Sequence, residues 1–229
     1  MSIQERIGEG FPAPLPTDAL SLAIKPAGTS LPWLQAALKR MLDLTVAVPA
    51  LILLAPVLGL IAAAIRCETR GPAVFRQTRL GKGGRAFRIA KFRTMTVQED
   101  GHDVVQARKN DPRVTKLGAF LRRTSLDELP QLINVIRGEM SLVGPRPHAW
   151  SHDELYSTLI PNYTLRQLVK PGMTGWAQVN GHRGETATLD AMRQRIEYDI
   201  WYASNSNILL DLKILWQTPA EVLNQRNAH

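Results

Sequence analysis

Hydrophobic and polar positions change their pattern several times along this chain. Up to residue 35 they show no period, and Pro12, Pro14, Pro16 and Pro26 interrupt them. With no basic stretch leading into an early apolar run, residues 1–35 read as a flexible extension, not a signal peptide. From Leu44 to Ile65 there are 22 residues without a charge, enough for a straight helix to cross a bilayer. Around Ala86–Phe92 apolar and basic side chains alternate, as in a strand or hairpin. Leu117, Phe120 and Leu121, then Leu129, Leu132, Ile133 and Ile136, recur at helical spacing and predict two amphipathic helices separated near Thr124 and Ser125. Ile208–Trp216 predicts a last helix leading into Pro219, with Trp201, Tyr202 and Trp216 either at headgroup depth or in ordinary core packing. Residues 224–229 form a short polar tail.

The apolar block has two features that a simple spanning helix does not explain. Pro49 and Pro56 lie inside it, where each removes a backbone donor and crowds the preceding turn, so a bend is expected. Lys39 and Arg40 precede it and Arg66 follows, and the positive-inside tendency holds both ends on the cytoplasmic side. A broken, re-entrant membrane helix over residues 36–66 satisfies both. A spanning helix and a buried core helix are the alternatives.

Charge narrows the partners. The 28 Lys and Arg against 20 Asp and Glu give a net charge of +8, so the surface that this chain meets is anionic: nucleic acid, phospholipid or a phosphorylated substrate. From Arg66 to Arg93 nine residues are basic and one, Glu68, is acidic, a juxtamembrane cationic segment attracted to anionic headgroups. Phe75, Phe87, Ile89 and Phe92 interleave with these charges, so some of the cations have partners within a fold. Cys67 is the only cysteine, which excludes an intramolecular disulfide and fits a reducing compartment.

The candidate chemistry lies mostly between Asp111 and Pro147. Gly81-Lys82-Gly83-Gly84 has neither phosphate-loop spacing and predicts a tight hairpin turn. His148 and His152 stand four apart, but no paired ligand set accompanies them, which argues against zinc. Asp127 and Glu128 fall at the start of the second predicted helix. Ser125 and Glu128 there match a capping box, although Pro130 would then sit at the fifth helical position, where its missing N–H matters. The functional reading notes the cations around the pair: Arg113, Lys116, Arg122 and Arg123 before it, Arg137 and Arg146 after it. Arginine grips phosphate oxygens bidentately, a carboxylate-held divalent ion neutralises a diphosphate, and a carboxylate ionised by nearby cations is a competent nucleophile toward phosphorus. Gly144-Pro145-Arg146-Pro147 would hold Arg146 on a rigid turn.

These segments, in this order, resemble the bacterial sugar transferases, the monotopic polyprenyl-phosphate hexose-1-phosphate transferases. The resemblance runs from Lys39 to about Thr218. It rests on Lys39-Arg40 with Asp43, Pro56, Gly71-Pro72, Arg76-Gln77 with Arg79 and Gly81, Lys91-Phe92-Arg93-Thr94-Met95, Asp111-Pro112-Arg113, Ser125 to Gln131, Ser141 to Pro147, and Lys170 to Gly175. It implies a helix-rich α+β fold: a re-entrant helix broken at Pro56 and a compact cytoplasmic catalytic domain, residues 67–223, lying on the bacterial inner membrane. It implies that Asp127 attacks the sugar-linked phosphorus of a UDP-hexose, releasing UMP, and that undecaprenyl phosphate then takes the phosphosugar. Asp127 would also contact Mg2+, and Glu128 would assist the metal site or proton handling. Arg122 and Arg146 would bind phosphate; Lys91 and Arg93 are further candidates, with a structural role open for each. Partners implied are the UDP-hexose, undecaprenyl phosphate and inner-membrane phospholipid, no nucleic acid, with room for a homodimer. The chain lacks the several amino-terminal membrane helices of longer relatives, so it is expected to be the minimal catalytic form. Trp176 to Gly181 and Arg195 to Asp199 resemble members acting on UDP-glucose or UDP-galactose. Two rivals stay open: direct transfer with Asp127 acting only as a magnesium ligand, and a non-catalytic, membrane-anchored basic protein binding lipid or nucleic acid.

Overall fold

The computed structural model describes residues 32–96, 111–184, 186 and 188–224. The expected flexible extension up to residue 31 and the tail beyond Asn224 lie outside the described residues. The first element is a 37-residue helix, α1 (Pro32–Glu68), which takes in the whole charge-free block. It begins ahead of the expected boundary at residue 36, and its helical assignment runs through both Pro49 and Pro56. Each proline removes one intrahelical hydrogen bond, a loss that long apolar helices tolerate without ending. It is long and apolar enough to cross a membrane, and little of its most apolar stretch is buried by protein. Ile52, Leu53 and Leu60, in its middle, are each more than 70% exposed.

Polar side chains tie the helix to the rest of the chain at both ends. Near the start, Lys39 Nζ donates to the Val143 carbonyl (3.0 Å) and pairs with Asp211 (2.6 Å). The Arg40 guanidinium caps the Val135 and Ile136 carbonyls, both at 2.7 Å. Asp43, buried, accepts from the Ser141 hydroxyl and the Leu142 amide, both at 2.8 Å. At the far end the buried Arg93 donates to the Arg70 (2.5 Å), Thr69 (2.7 Å) and Ile65 (3.5 Å) carbonyls, satisfying carbonyls that a helix end leaves open.

Beyond α1 come the strands β1 (Val74–Leu80) and β2 (Ala86–Phe92), an antiparallel hairpin in the register Val74↔Phe92 to Leu80↔Ala86. The turn between them is the glycine-rich segment, with Gly83 and Gly84 at φ 65° and 73°, so it is the hairpin turn that the spacing predicts. Next are α2 (Lys116–Thr124), a 3-10 turn (Leu126–Glu128) and α3 (Gln131–Arg137). The strand β3 (Ser141–Val143) pairs in parallel with β4 (Gly172–Thr174). Helix α4 (Trp150–Leu159) and a 3-10 segment (Tyr163–Leu168) lie between those strands. Three helices follow: α5 (Trp176–Val179), α6 (Leu189–Asn205) and α7 (Ile208–Asn224). This is the expected helix-rich α+β fold.

One buried cluster joins Ala47 of α1 to Phe87, Ile89, Leu132, Val135, Met140, Tyr202 and Ile214. A second joins Ile65, at the other end of α1, to Ala73, Phe92 and Leu121. Tyr202 is therefore core, its hydroxyl donating to Asp211 (2.5 Å), whereas Trp216 is 87% exposed and Trp201 is 45% exposed and stacked on Trp176.

The two glycine-containing motifs meet backbone against backbone. A Cβ on Gly172 would stand 2.1 Å from the Gly144 nitrogen and 2.5 Å from the Thr174 carbonyl oxygen, where neither atom can move aside. Gly172→Ala should therefore destabilise the protein by at least about 2 kcal/mol through overpacking, read as a lowered midpoint of thermal unfolding in detergent.

Candidate active site

The Asp127-Glu128 pair does not begin a helix. Ser125 adopts the left-handed conformation (φ 58°) and ends α2; its hydroxyl accepts from Arg183 (2.5 Å) and caps nothing. The capping-box reading of Ser125 is thus corrected. Pro130 has no N–H to give a helix interior, so the chain makes a separate 3-10 turn over Leu126–Glu128 and α3 starts after the proline. Helix α2 is capped instead by Thr115, whose hydroxyl accepts from the Gly118 amide (2.9 Å).

The turn directs the two carboxylates to different surroundings. Glu128 Oε1 accepts from Lys91 (2.8 Å) and from Arg146 Nη2 (2.5 Å), and Oε2 accepts from Arg146 Nη1 (3.1 Å). Burial pushes the Glu128 carboxyl up, but Arg146 and Lys91 together outweigh burial and hold it well below the usual range. The Glu128 charge in turn raises the Arg146 guanidinium. Burial pulls the Lys91 ammonium down.

Asp127 is buried, yet no side chain among the described residues donates to its carboxylate. Burial, then the neighbouring Glu128 charge, push its pKa up to about 6 against the pull of Lys91, Arg122 and Arg146. It is a basic carboxylate surrounded by cations, with no side-chain donor among the described residues.

Arg122 Nε donates to the Thr94 hydroxyl (2.9 Å), which aims the guanidinium toward the charge of Asp127. Arg122, Arg146 and Lys91 thus gather around the pair. Arg93 does not join them: its guanidinium is committed to the end of α1. Thr94, which the Lys91-to-Met95 motif contains without a role, and Arg183, which the sequence did not single out, both belong to the site. Burial and repulsion by Arg146 press the Arg183 guanidinium down, and the same two causes act on Arg195, whose pKa falls to about 10. The site thus carries more positive charge than its two carboxylates neutralise, as a bound diphosphate requires. His148 is buried, with its Nδ1 2.6 Å from the buried Tyr163 hydroxyl.

The sequence model of the bacterial sugar transferase family matches residues 34–225. The chain belongs to this family. It is 56% identical over 180 residues to a Klebsiella pneumoniae protein named UDP-glucose:undecaprenyl-phosphate glucose-1-phosphate transferase, covering 79% of this chain and 39% of that one. A Caulobacter vibrioides protein of the same name is 53% identical over 191 residues, 83% of this chain and 72% of the relative. An Aeromonas hydrophila relative, named UDP-N-acetylgalactosamine-undecaprenyl-phosphate N-acetylgalactosaminephosphotransferase, is 41% identical over 186 residues, 81% of this chain and 44% of its own. The chain therefore spans about two fifths of the length of the Klebsiella relative.

The pKa of Asp127 makes a stability prediction. A carboxyl raised from 3.8 to about 6 binds its proton more tightly in the folded state, so its contribution is present below pH 3.8 and lost as pH rises through 6. Asp127→Asn, which cannot ionise, should stabilise the protein at pH 7.5 by about 3 kcal/mol. With EDTA present, the difference in thermal midpoint from wild type should shrink as pH falls from 7.5 to 5.

Proposed function

We propose that this chain transfers hexose-1-phosphate from a UDP-hexose to undecaprenyl phosphate, releasing UMP, by way of a phosphosugar carried on Asp127. The observation that carries this reading is the division of labour in the carboxylate pair: Glu128 is engaged by Lys91 and Arg146, while among the described residues no side chain donates to Asp127, whose basicity is raised. A carboxylate with a pKa of about 6 is ionised at neutral pH and more nucleophilic than an ordinary one. An Asp127 oxygen bonds to the sugar-linked phosphorus as the bond to UMP breaks, and UMP leaves with the electron pair. An oxygen of undecaprenyl phosphate then bonds to the same phosphorus and the Asp127 carboxylate leaves. Both nucleophiles are already anionic, so neither step needs a general base. Glu128, held well below the usual range, is therefore assigned to fixing Lys91 and Arg146, not to proton handling.

Arg122 and Arg146 are placed to hold the transferring phosphoryl group, and Lys91 to add charge beside them. Arg93 is assigned to the end of α1. Magnesium fits one open carboxylate: Asp127 would hold the ion, with the remaining ligands from substrate phosphates and water, because both Glu128 oxygens already accept from cations. When bound, the ion would neutralise charge on the diphosphate. The names of the Klebsiella and Caulobacter relatives favour UDP-glucose as donor over UDP-galactose. UMP release from a panel of UDP-sugars, in detergent with magnesium, should depend on undecaprenyl phosphate and show one preferred hexose. Asp127→Asn should lower it about 10³-fold or more. A phosphosugar trapped on Asp127 at single turnover supports the two-step route, and undiminished release by Asp127→Asn would sink it.

The same reading places the chain at the cytoplasmic face of the inner membrane with α1 re-entrant. Its support is mechanical: Asp43 near one end of α1 and Ile65 at the other are both held by the same polar domain, which cannot lie on both sides of a bilayer. Cys67 is exposed at one end. It should be labelled from the cytoplasmic side of inverted vesicles, as should Leu34→Cys in a Cys67→Ser background. Labelling of the two from opposite sides would mean that α1 spans.

A further inference from the structure

Pro145 and Pro147 have no N–H, so the turn that carries Arg146 is held mainly through its carbonyls. Each of the three is taken. The Pro145 carbonyl accepts from the Gly172 amide (2.9 Å), that of Arg146 from Arg166 Nη2 (2.5 Å) and that of Pro147 from Arg79 Nη1 (3.3 Å).

Arg166 is the most heavily constrained of these donors. Its side chain is 4% exposed. Nε and Nη2 both reach Asp199 Oδ2, at 3.0 and 2.8 Å, and Nη1 lies 3.3 Å from His148 Nδ1, 3.5 Å from the Tyr163 hydroxyl and 3.6 Å from Asp153. Tyr163 in turn donates to Asp153 at 2.6 Å. The network draws on α4, the 3-10 segment and α6, beside an apolar cluster of Ile160, Met192 and Ile196 that already packs those elements together. A buried charged network is weak evidence for stability and better evidence for fixing one arrangement. The backbone atom that this one fixes outside itself is the Arg146 carbonyl.

We propose that Arg166 is a positioning residue of the transferase: by gripping the Arg146 carbonyl against Asp199 it sets where the Arg146 guanidinium meets Glu128 and the donor phosphate. This rests on the reading of Arg146 as a phosphate contact. Lysine cannot replace it, because one ammonium does not present two faces in a fixed fork to a carboxylate and a carbonyl at once.

The test is a double-mutant cycle on UMP release by the full chain in detergent, with Arg166→Lys, Arg146→Lys and the double variant. Misplacement of a catalytic contact by about 1 Å can cost on the order of 100-fold. Arg166→Lys should lower kcat about 10- to 100-fold, with KM for UDP-glucose held within about threefold, and should cost less than about threefold once Arg146 is already lysine. Asp199→Asn keeps an acceptor and the side-chain size, and serves if Arg166→Lys does not fold; it should lower kcat about 3- to 10-fold and lose that effect in the same background. Thermal unfolding confirms that each variant compared is folded. Losses that multiply independently overturn the positioning role and leave the proposed function standing. A folded Arg166→Lys with wild-type kcat also overturns it. Wild-type kcat in Arg146→Lys overturns the reading of Arg146 itself, and the positioning role with it.

Discussion

Glu128 shares its carboxylate between Lys91 of β2 and Arg146 of the turn after β3, and that double ion pair joins three stretches of chain distant in sequence. Removing one member of such a cluster leaves a buried charge uncompensated, typically at about 3–5 kcal/mol. The pair also decides what Asp127 is. Two cations that would otherwise turn to the nearest carboxylate are occupied by the next residue, so Asp127 has no side-chain donor among the described residues.

Helix α1 depends on the same domain in a different way. Its middle presents Ile52, Leu53 and Leu60 outward, where little of the helix packs on the rest of the chain. Placement comes from the ends, where Lys39, Arg40 and Asp43 engage the segments around α3 and β3, and Arg93 closes the last carbonyls. Since α3 follows the Asp127 turn directly, α1 and the turn that bears Asp127 share one base.

What could be read from the sequence was mostly local. The hairpin over Val74–Phe92, its glycine turn, and the two helices parted at Thr124 and Ser125 follow from periodicity and turn chemistry acting over a few residues. The Asp127-Glu128 pair was legible as a cluster of charge, but the capping box was not a cap, because the backbone of Ser125 turned left-handed and its hydroxyl went to Arg183. Nor did spacing separate Lys91 from Arg93. They lie two apart on adjoining chain, yet one reaches the carboxylate pair and the other the end of α1. Arg166 and Asp199, 33 residues apart, could be linked only by the fold, since no local pattern pairs an arginine in a 3-10 segment with an aspartate on a later helix.

The raised pKa of Asp127 shows which effect wins at the site. Three cations within electrostatic reach would by themselves push a carboxyl below its ordinary value, and burial with the Glu128 charge overcomes them. If Glu128 were neutral, Lys91 and Arg146 would act on Asp127 undiluted, and its basicity would fall. If the site were wetter, burial would weaken and the result would be the same. The ionised neighbour therefore does two things at once: it fixes Lys91 and Arg146, and it keeps the Asp127 carboxylate basic. Neither effect requires Glu128 to take up or give a proton.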